Sequence, residues 1–127
     1  MKVSIVTIVF NGEAFIRKTI ESVLSQSYSD IEYIIIDGGS GDKTMDIVNE
    51  YLLKIVTVVS EKDKGIYDAM NKGVIRSTGD IVGFLNADDI FSDQDSVKYV
   101  VESFKRHGVD AVYGDLQYIN VIGGVVR

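Results

Sequence analysis

Acids appear where apolar runs stop. The run Ile81–Leu85 ends in Asn86-Ala87-Asp88-Asp89, and three isoleucines run straight into Asp37. Carboxylate oxygens suit a hard divalent cation such as Mg2+ or Mn2+, which in turn holds phosphate oxygens. Such an ion also stabilises a diphosphate leaving group as a Lewis acid. Asp37 opens the turn Asp37-Gly38-Gly39-Ser40-Gly41-Asp42. Its glycines let backbone amides approach a ligand, and an acid fixed at a strand end accepts hydrogen bonds from a base or ribose. A plainer account exists for each group. Ser40 or Asp42 caps a following helix, and Asp88 with Asp89 forms a turn and caps the next one. Asp42 reads better as a cap. Asp37, Asp88 and Asp89 read better as functional, because they converge on one edge.

A third polar stretch, Ser60-Glu61-Lys62-Asp63-Lys64-Gly65, has no metal-ligand spacing. Lys64 either offsets phosphate or is merely solvated. Asp63 either touches a base or caps the helix that begins near Gly65. The residues leave both pairs open. His107 is the single histidine, sits at a helix end before Gly108, and reads as part of a C-terminal cap. No Ser-His-Asp set can be built from it.

Composition narrows the chemistry. The net charge of −6 argues against a nucleic-acid backbone binder, and it requires something positive if the ligand is anionic. A metal ion on the acidic edge resolves that conflict. Without cysteine, disulfides, thiolate chemistry and zinc fingers are excluded. The nicotinamide fingerprint G-x-G-x-x-G and the phosphate loop G-x-x-x-x-G-K-[ST] are both missing. That counts against a nicotinamide-dependent enzyme. The apolar start of MKVSIVTIVFNGE is too short to span a bilayer and reads as a buried strand.

The elements that position these residues alternate. Val3–Phe10, Ile31–Ile36, Ile55–Val59 and Ile81–Leu85 are short, β-branched and almost continuously apolar. Such strands predict a mainly parallel sheet covered on both faces. Between and after them lie helical patterns. Ala14–Gln26 places Ile16, Ile20, Val23 and Leu24 on one face, and Lys43–Leu53 places Met45, Val48 and Leu52 together. Gly65–Ser77 aligns Ile66, Ala69, Met70, Gly73 and Val74, and Gln94–His107 aligns Val97, Val100, Val101 and Phe104. Tyr67, Asp68, Asn71 and Lys72 fall on the solvent side. The order βαβαβαβα predicts one α/β domain over residues 1–127, with right-handed crossovers and helices on both sheet faces. After Gly108, DAVYGDLQYIN predicts one or two strands, and Gly123-Gly124 predicts a hairpin turn into VVR. The chain stops inside that strand, which predicts a longer parent protein and an exposed edge able to pair in a homodimer. In an open α/β sheet the ligand binds beyond the carboxyl ends of the strands, where all the polar turns above collect.

The ordered set VSIVTIVFNGEAFIRKTIESVLSQSYSDIEYIIIDGGSGDKT and SEKDKGIYDAMNKGVIRSTGDIVGFLNADD resembles the family 2 glycosyltransferases, inverting enzymes of the GT-A fold. It looks most like the branch that builds bacterial surface polysaccharides. The resemblance implies a nucleotide-diphosphate sugar donor, with UDP as the expected nucleotide, a saccharide or lipid-linked acceptor, and a Mg2+ or Mn2+ ion. It implies nucleotide contacts at Thr7 and Val9, through their backbone, and at Asp37, Asp63, Lys64 and Asn86. Asn86-Ala87-Asp88 matches the family's DxD motif, with Asp88 as the metal ligand and Asn86 a neutral replacement of the first acid. Gly38 stands where a second acid is frequent, and Ile8 where proline is common. The catalytic base is expected outside these residues; Asp115 is a weak candidate. A cytoplasmic protein is implied, with the full-length form peripherally attached at the inner face of the membrane. The competing expectation is a nucleotide-sugar-binding fragment or subunit without activity of its own.

Overall fold

The computed structural model describes residues 1–55 and 57–114, with two further short strands, Tyr118–Ile119 and Val125–Val126. Its elements are β1 (Val3–Val9), α1 (Ile16–Leu24), β2 (Ile31–Asp37), α2 (Thr44–Asn49), a 3-10 turn (Leu52–Lys54) and β3 (Thr57–Ser60). Then come α3 (Ile66–Arg76), β4 (Ile81–Phe84), α4 (Ser96–His107), β5 (Tyr118–Ile119) and β6 (Val125–Val126). The first four strands form a parallel sheet in the order β3-β2-β1-β4. Strand succession runs outward from β1 through β2 to β3, then jumps back to place β4 on the other side of β1. The carboxyl ends of β1 and β4 therefore flank the point where the order reverses, the usual ligand crevice of such sheets.

Alternating side chains feed two cores. Val3, Ile5 and Val9 of β1 and Tyr33 and Ile35 of β2 pack with Ile16, Ile20 and Val23 of α1, Val48 of α2, and Val97 and Val101 of α4. On the opposite face Val6, Ile34 and Ile36 meet Ala69 of α3. Fully burying an isoleucine or valine contributes about 1.5–3 kcal/mol, so the central strands, buried at all but Ile8 and Ile31, dominate stability. Helices thus cover both faces, as expected. The outer strands are less enclosed than the sequence predicts: β3 is half-buried, and Val82 and Phe84 of β4 are exposed.

Two helical stripes also differ from expectation. In α3 only Ala69 and Gly73 are buried, while Ile66 and Val74 are 55% and 47% exposed. The cause is Gly73: a β-carbon there would lie 2.4 Å from Val6 Cγ1. The helix backbone presses on the sheet through its small residues and leaves the flanking large ones outside. The predicted helix Lys43–Leu53 breaks after Asn49, where Glu50 and Tyr51 donate to Ile47 and Val48 in tighter bonds, and Leu52 is exposed. Tyr51 instead accepts from Arg17 and donates to Glu21 of α1. In α3, Lys72 is not free on the surface. Its side chain is 16% exposed, and its ammonium lies 3.1 Å from Glu61 and 3.6 Å from Asp68.

His107 ends α4 with Lys105 and Arg106, and Gly108 closes the helix at φ 58, its N–H donating to the Phe104 carbonyl. Strands β5 and β6 pair antiparallel, Tyr118 opposite Val126, consistent with the hairpin predicted there. Asp115, Gly123 and Gly124 lie outside the described residues.

Candidate functional site

The parallel register sets Val9 beside Asp37 and Asp37 beside Ser60, so one cross-strand row ends the sheet. Asp37 is fully buried. Its Oδ2 accepts the N–H groups of Gly39 (3.2 Å) and Ser40 (3.1 Å) and the Ser60 hydroxyl (2.7 Å). Its Oδ1 accepts the Ser40 hydroxyl at 2.5 Å. A carboxylate offers roughly four lone-pair sites, so the loop consumes nearly all of them and leaves capacity only on Oδ1. Asp37 is first the pillar of its own turn.

The loops after β1 and β2 are stitched together in the same way. Asn11 takes a positive φ of 50, which its short polar side chain tolerates. Its N–H donates to Ser40 Oγ (2.8 Å) and its Oδ1 accepts the Gly41 N–H (2.9 Å). The Gly12 N–H donates to Thr44 Oγ1, the Glu13 N–H to Asp42, and the Lys43 N–H to Glu13. Asp42 accepts the Thr44 amide at 2.9 Å, the first residue of α2. It satisfies the helix start from one position before the formal cap, close to the expected capping role.

Gly38 shows what its missing side chain leaves room for. A β-carbon there would lie 2.9 Å from Asp63 Oδ2 and 3.5 Å from Phe10 Cδ2. The loops after β1, β2 and β3 thus meet at one spot, with an aromatic edge and a carboxylate on either side of a bare glycine. Asp63 also accepts the Gly65 N–H at 3.1 Å, and Asp68 accepts the Lys64 N–H at 2.9 Å, so both acids brace the entry to α3. The capping account of Asp63 is geometrically present, and its Oδ2 still faces Gly38. The Lys64 side chain is exposed. Phe10, 65% exposed, was not singled out by the sequence reading. The available signal was a large ring directly after a buried strand, at the ligand edge.

The turn after β4 is built differently. The Asp89 N–H donates to the Asn86 carbonyl at 3.0 Å, closing a β-turn. The expected turn is there, but the helix cap is not: α4 begins only at Ser96, and Asp93 accepts the Asp95 N–H instead. Asn86 and Asp88 are exposed, and among the described residues no hydrogen bond or ion pair engages either side chain. The Asp89 carboxyl is held above its ordinary value by desolvation and then by the charge of Asp88. A β-carbon on Gly12 would lie 3.6 Å from Ala87 Cβ, so this acidic turn touches the loop after β1.

The structure therefore brings Val9, Asp37, Asp63, Asn86 and Asp88 to one edge. Thr7 lies further in, buried, with its hydroxyl 3.0 Å from that of Tyr33. The site is an open edge; a cavity of about 200 Å³ lined by Val23, Leu24, Tyr28 and Tyr33 lies elsewhere, beside the end of α1. Among the described residues no group of three or more His, Asp or Glu side chains could hold a metal. One or two carboxylates are nevertheless what Mg2+ or Mn2+ needs when substrate phosphates and water complete its shell. The neighbouring charges of Asp88 and Asp89, without a cationic partner among the described residues, fit that pattern.

Residues 4–125 match the family model described as Glycosyl transferase family 2. The chain belongs to that family. An uncharacterized glycosyltransferase of Mycobacterium tuberculosis is 40% identical over 107 residues, covering 84% of this chain and 41% of that relative. S. aureus TarS superposes with a TM-score of 0.77 at 25% identity, covering 85% of this chain and 20% of TarS. Glucosyl-3-phosphoglycerate synthase from Mycobacterium tuberculosis, solved with Mn2+, UDP and phosphoglyceric acid, gives a TM-score of 0.67 at 26% identity, covering 81% and 38% of the two chains. The fold is that of the GT-A glycosyltransferases. This family 2 chain spans about two-fifths of the length of the curated relatives it matches. No helix among its described residues is long and apolar enough to cross a membrane.

Proposed function

We propose that this chain carries the donor-binding half of an inverting glycosyltransferase that uses a UDP-sugar. The observation that carries this reading is the pair Asn86 and Asp88. They are exposed and unengaged among the described residues, at the end of β4, where the sheet order reverses. The nucleoside lies against Phe10 and Gly38, with Asp63 and the free capacity of Asp37 Oδ1 as acceptors. The backbone around Thr7 and Val9 shapes the floor, and Lys64 offsets phosphate charge. Asn86 binds ribose, and Asp88 binds the divalent ion together with the diphosphate. That ion, when bound, neutralises the leaving group. The acceptor is a saccharide or a lipid-linked saccharide of a bacterial polysaccharide pathway. Its hydroxyl attacks the anomeric carbon, the bond to the diphosphate oxygen breaks, and a base outside the described edge takes the hydroxyl proton. The solved relative with Mn2+ and UDP supports the choice of ion and nucleotide.

Titration of UDP with and without Mn2+ tests the reading. Binding that requires Mn2+ and disappears in Asp88→Ala supports it. An absence of UDP binding under every metal condition overturns it. Sugar transfer from the UDP-sugar by this chain alone would show that the base lies within it. Binding without transfer fits a donor module completed by further chain or a partner.

A further inference from the structure

The acidic turn after β4 has few apolar anchors. Asn86 and Asp88 point outward, and buried Leu85 with half-buried Ala87 and Phe91 ties the segment to the core. What holds its backbone is a polar seam on α1. Thr19, fully buried, stands within the apolar stripe of Ile16, Ile20 and Val23. Its hydroxyl lies 2.6 Å from the Ala87 carbonyl and 2.8 Å from the Asp89 carbonyl, so one proton serves both oxygens flanking Asp88. One turn on, Ser22 Oγ accepts the Phe91 N–H at 3.3 Å. Just past the helix, Gln26 donates to the Asp93 carbonyl (2.7 Å) and accepts the Val97 N–H (3.0 Å). Thr19 and Ser22, three residues apart, share one face of α1, and Gln26 continues the seam beyond the helix end. A buried hydroxyl in an apolar stripe costs stability unless it is bonded, and here its bonds go to the turn that carries the candidate metal ligand.

We propose that Thr19 is a positioning residue for the divalent cation and diphosphate: its hydroxyl fixes the carbonyls on either side of Asp88 and so sets where that carboxylate stands. This rests on the donor-site reading above. Thr19→Val keeps the shape and removes the proton, leaving two carbonyls unpaired. Thr19→Ser restores the proton and loses only a methyl group.

The test combines two measurements. Amide hydrogen exchange on the ligand-free protein follows residues 86–91 against the central strands. Calorimetry measures Mn2+–UDP and, separately, uridine without metal. In Thr19→Val, exchange at 86–91 accelerates and Mn2+–UDP affinity falls, each by about tenfold, the effect of one lost buried hydrogen bond. Uridine, which meets this turn only through Asn86, loses less affinity than Mn2+–UDP, and Thr19→Ser recovers both quantities. If Thr19→Val does not fold, Thr19→Cys, whose thiol is a weaker donor, shows the same pattern at smaller amplitude. Unchanged exchange at 86–91 overturns the anchoring. A loosened turn with unchanged Mn2+–UDP affinity overturns the positioning role, and so does an equal fall in uridine affinity. If the wild-type protein binds no Mn2+–UDP, the donor-site reading fails and the positioning role with it, whatever the exchange data show.

Discussion

The loops after β1 and β2 and the turn after β4 are all rich in acids and amides, yet they spend them differently. Asn11, Glu13, Asp37, Asp42 and Thr44 are occupied with one another and with nearby backbone. Asn86 and Asp88 are engaged with nothing among the described residues, and their turn is held from behind by α1. The first region is a rigid wall made of polar residues. The second presents polar residues outward. An acid at a strand end is therefore not one kind of evidence: its partners decide whether it builds the site or faces the ligand.

The contrast can be broken by mutation. Asp37→Ala removes a buried carboxylate that accepts from Gly39, Ser40 and Ser60. Unfolding in urea should show a loss of about 3 kcal/mol, since hydrogen bonds to charged groups are worth about 1.5–3 kcal/mol each and strand those donors when lost. A stability change below about 0.5 kcal/mol, the usual size for surface changes, would dissolve the distinction. Asp88→Ala should do the converse. Its melting curve stays that of wild type, while Mn2+-dependent UDP affinity drops by roughly 10–100-fold, or about 1.4–2.7 kcal/mol. Phe10→Ala sharpens the boundary between the regions, because Phe10 is exposed but belongs to the wall. Its fold should be intact and uridine binding weaker by roughly tenfold, as stacking on a base is worth about 1–3 kcal/mol.

The smallest effect concerns Glu32, a buried acid at the opposite end of the sheet. Ser4 Oγ donates to it at 2.5 Å, Thr78 donates twice at 2.8 Å, and Lys2 lies 3.7 Å away. Desolvation raises its carboxyl, but these bonds and Lys2 outweigh that and hold it below its ordinary value. Its stabilisation is therefore full above the unfolded-state value near 4.5 and is lost as pH falls through the lower folded value. Glu32→Gln should flatten that acid limb and cost about 1 kcal/mol at neutral pH, leaving UDP affinity unchanged. A change in affinity would show that satisfied acids far from the ligand edge still tune it.

Much of this was legible in the sequence because periodicity and strand ends are local properties. Continuous apolar runs located β1, β2 and β4 to within a residue, and the polar turns followed those strands at one edge of the sheet. The surfaces of α3 and α2 were not legible. Whether Ile66 or Leu52 is covered depends on how closely Gly73 approaches Val6, and on Tyr51 reaching Arg17 and Glu21. Both are tertiary contacts that no helical pattern encodes. Thr19 was written into the stripe of α1 as its one polar member. Its carbonyl partners lie 68 and 70 positions away and have no trace in composition.

The strand order has a consequence for cooperativity. Among the described residues β4 pairs only with β1, and Lys2 and Asp80 meet there across 78 positions. Among the described residues it ends the sheet on that side of β1, with Val82 and Phe84 exposed, so local opening should begin there before the core of β1, β2 and α1. A ligand that bridges the β1 and β4 loops would hold this strand against the rest of the sheet, so its binding should suppress local opening of β4.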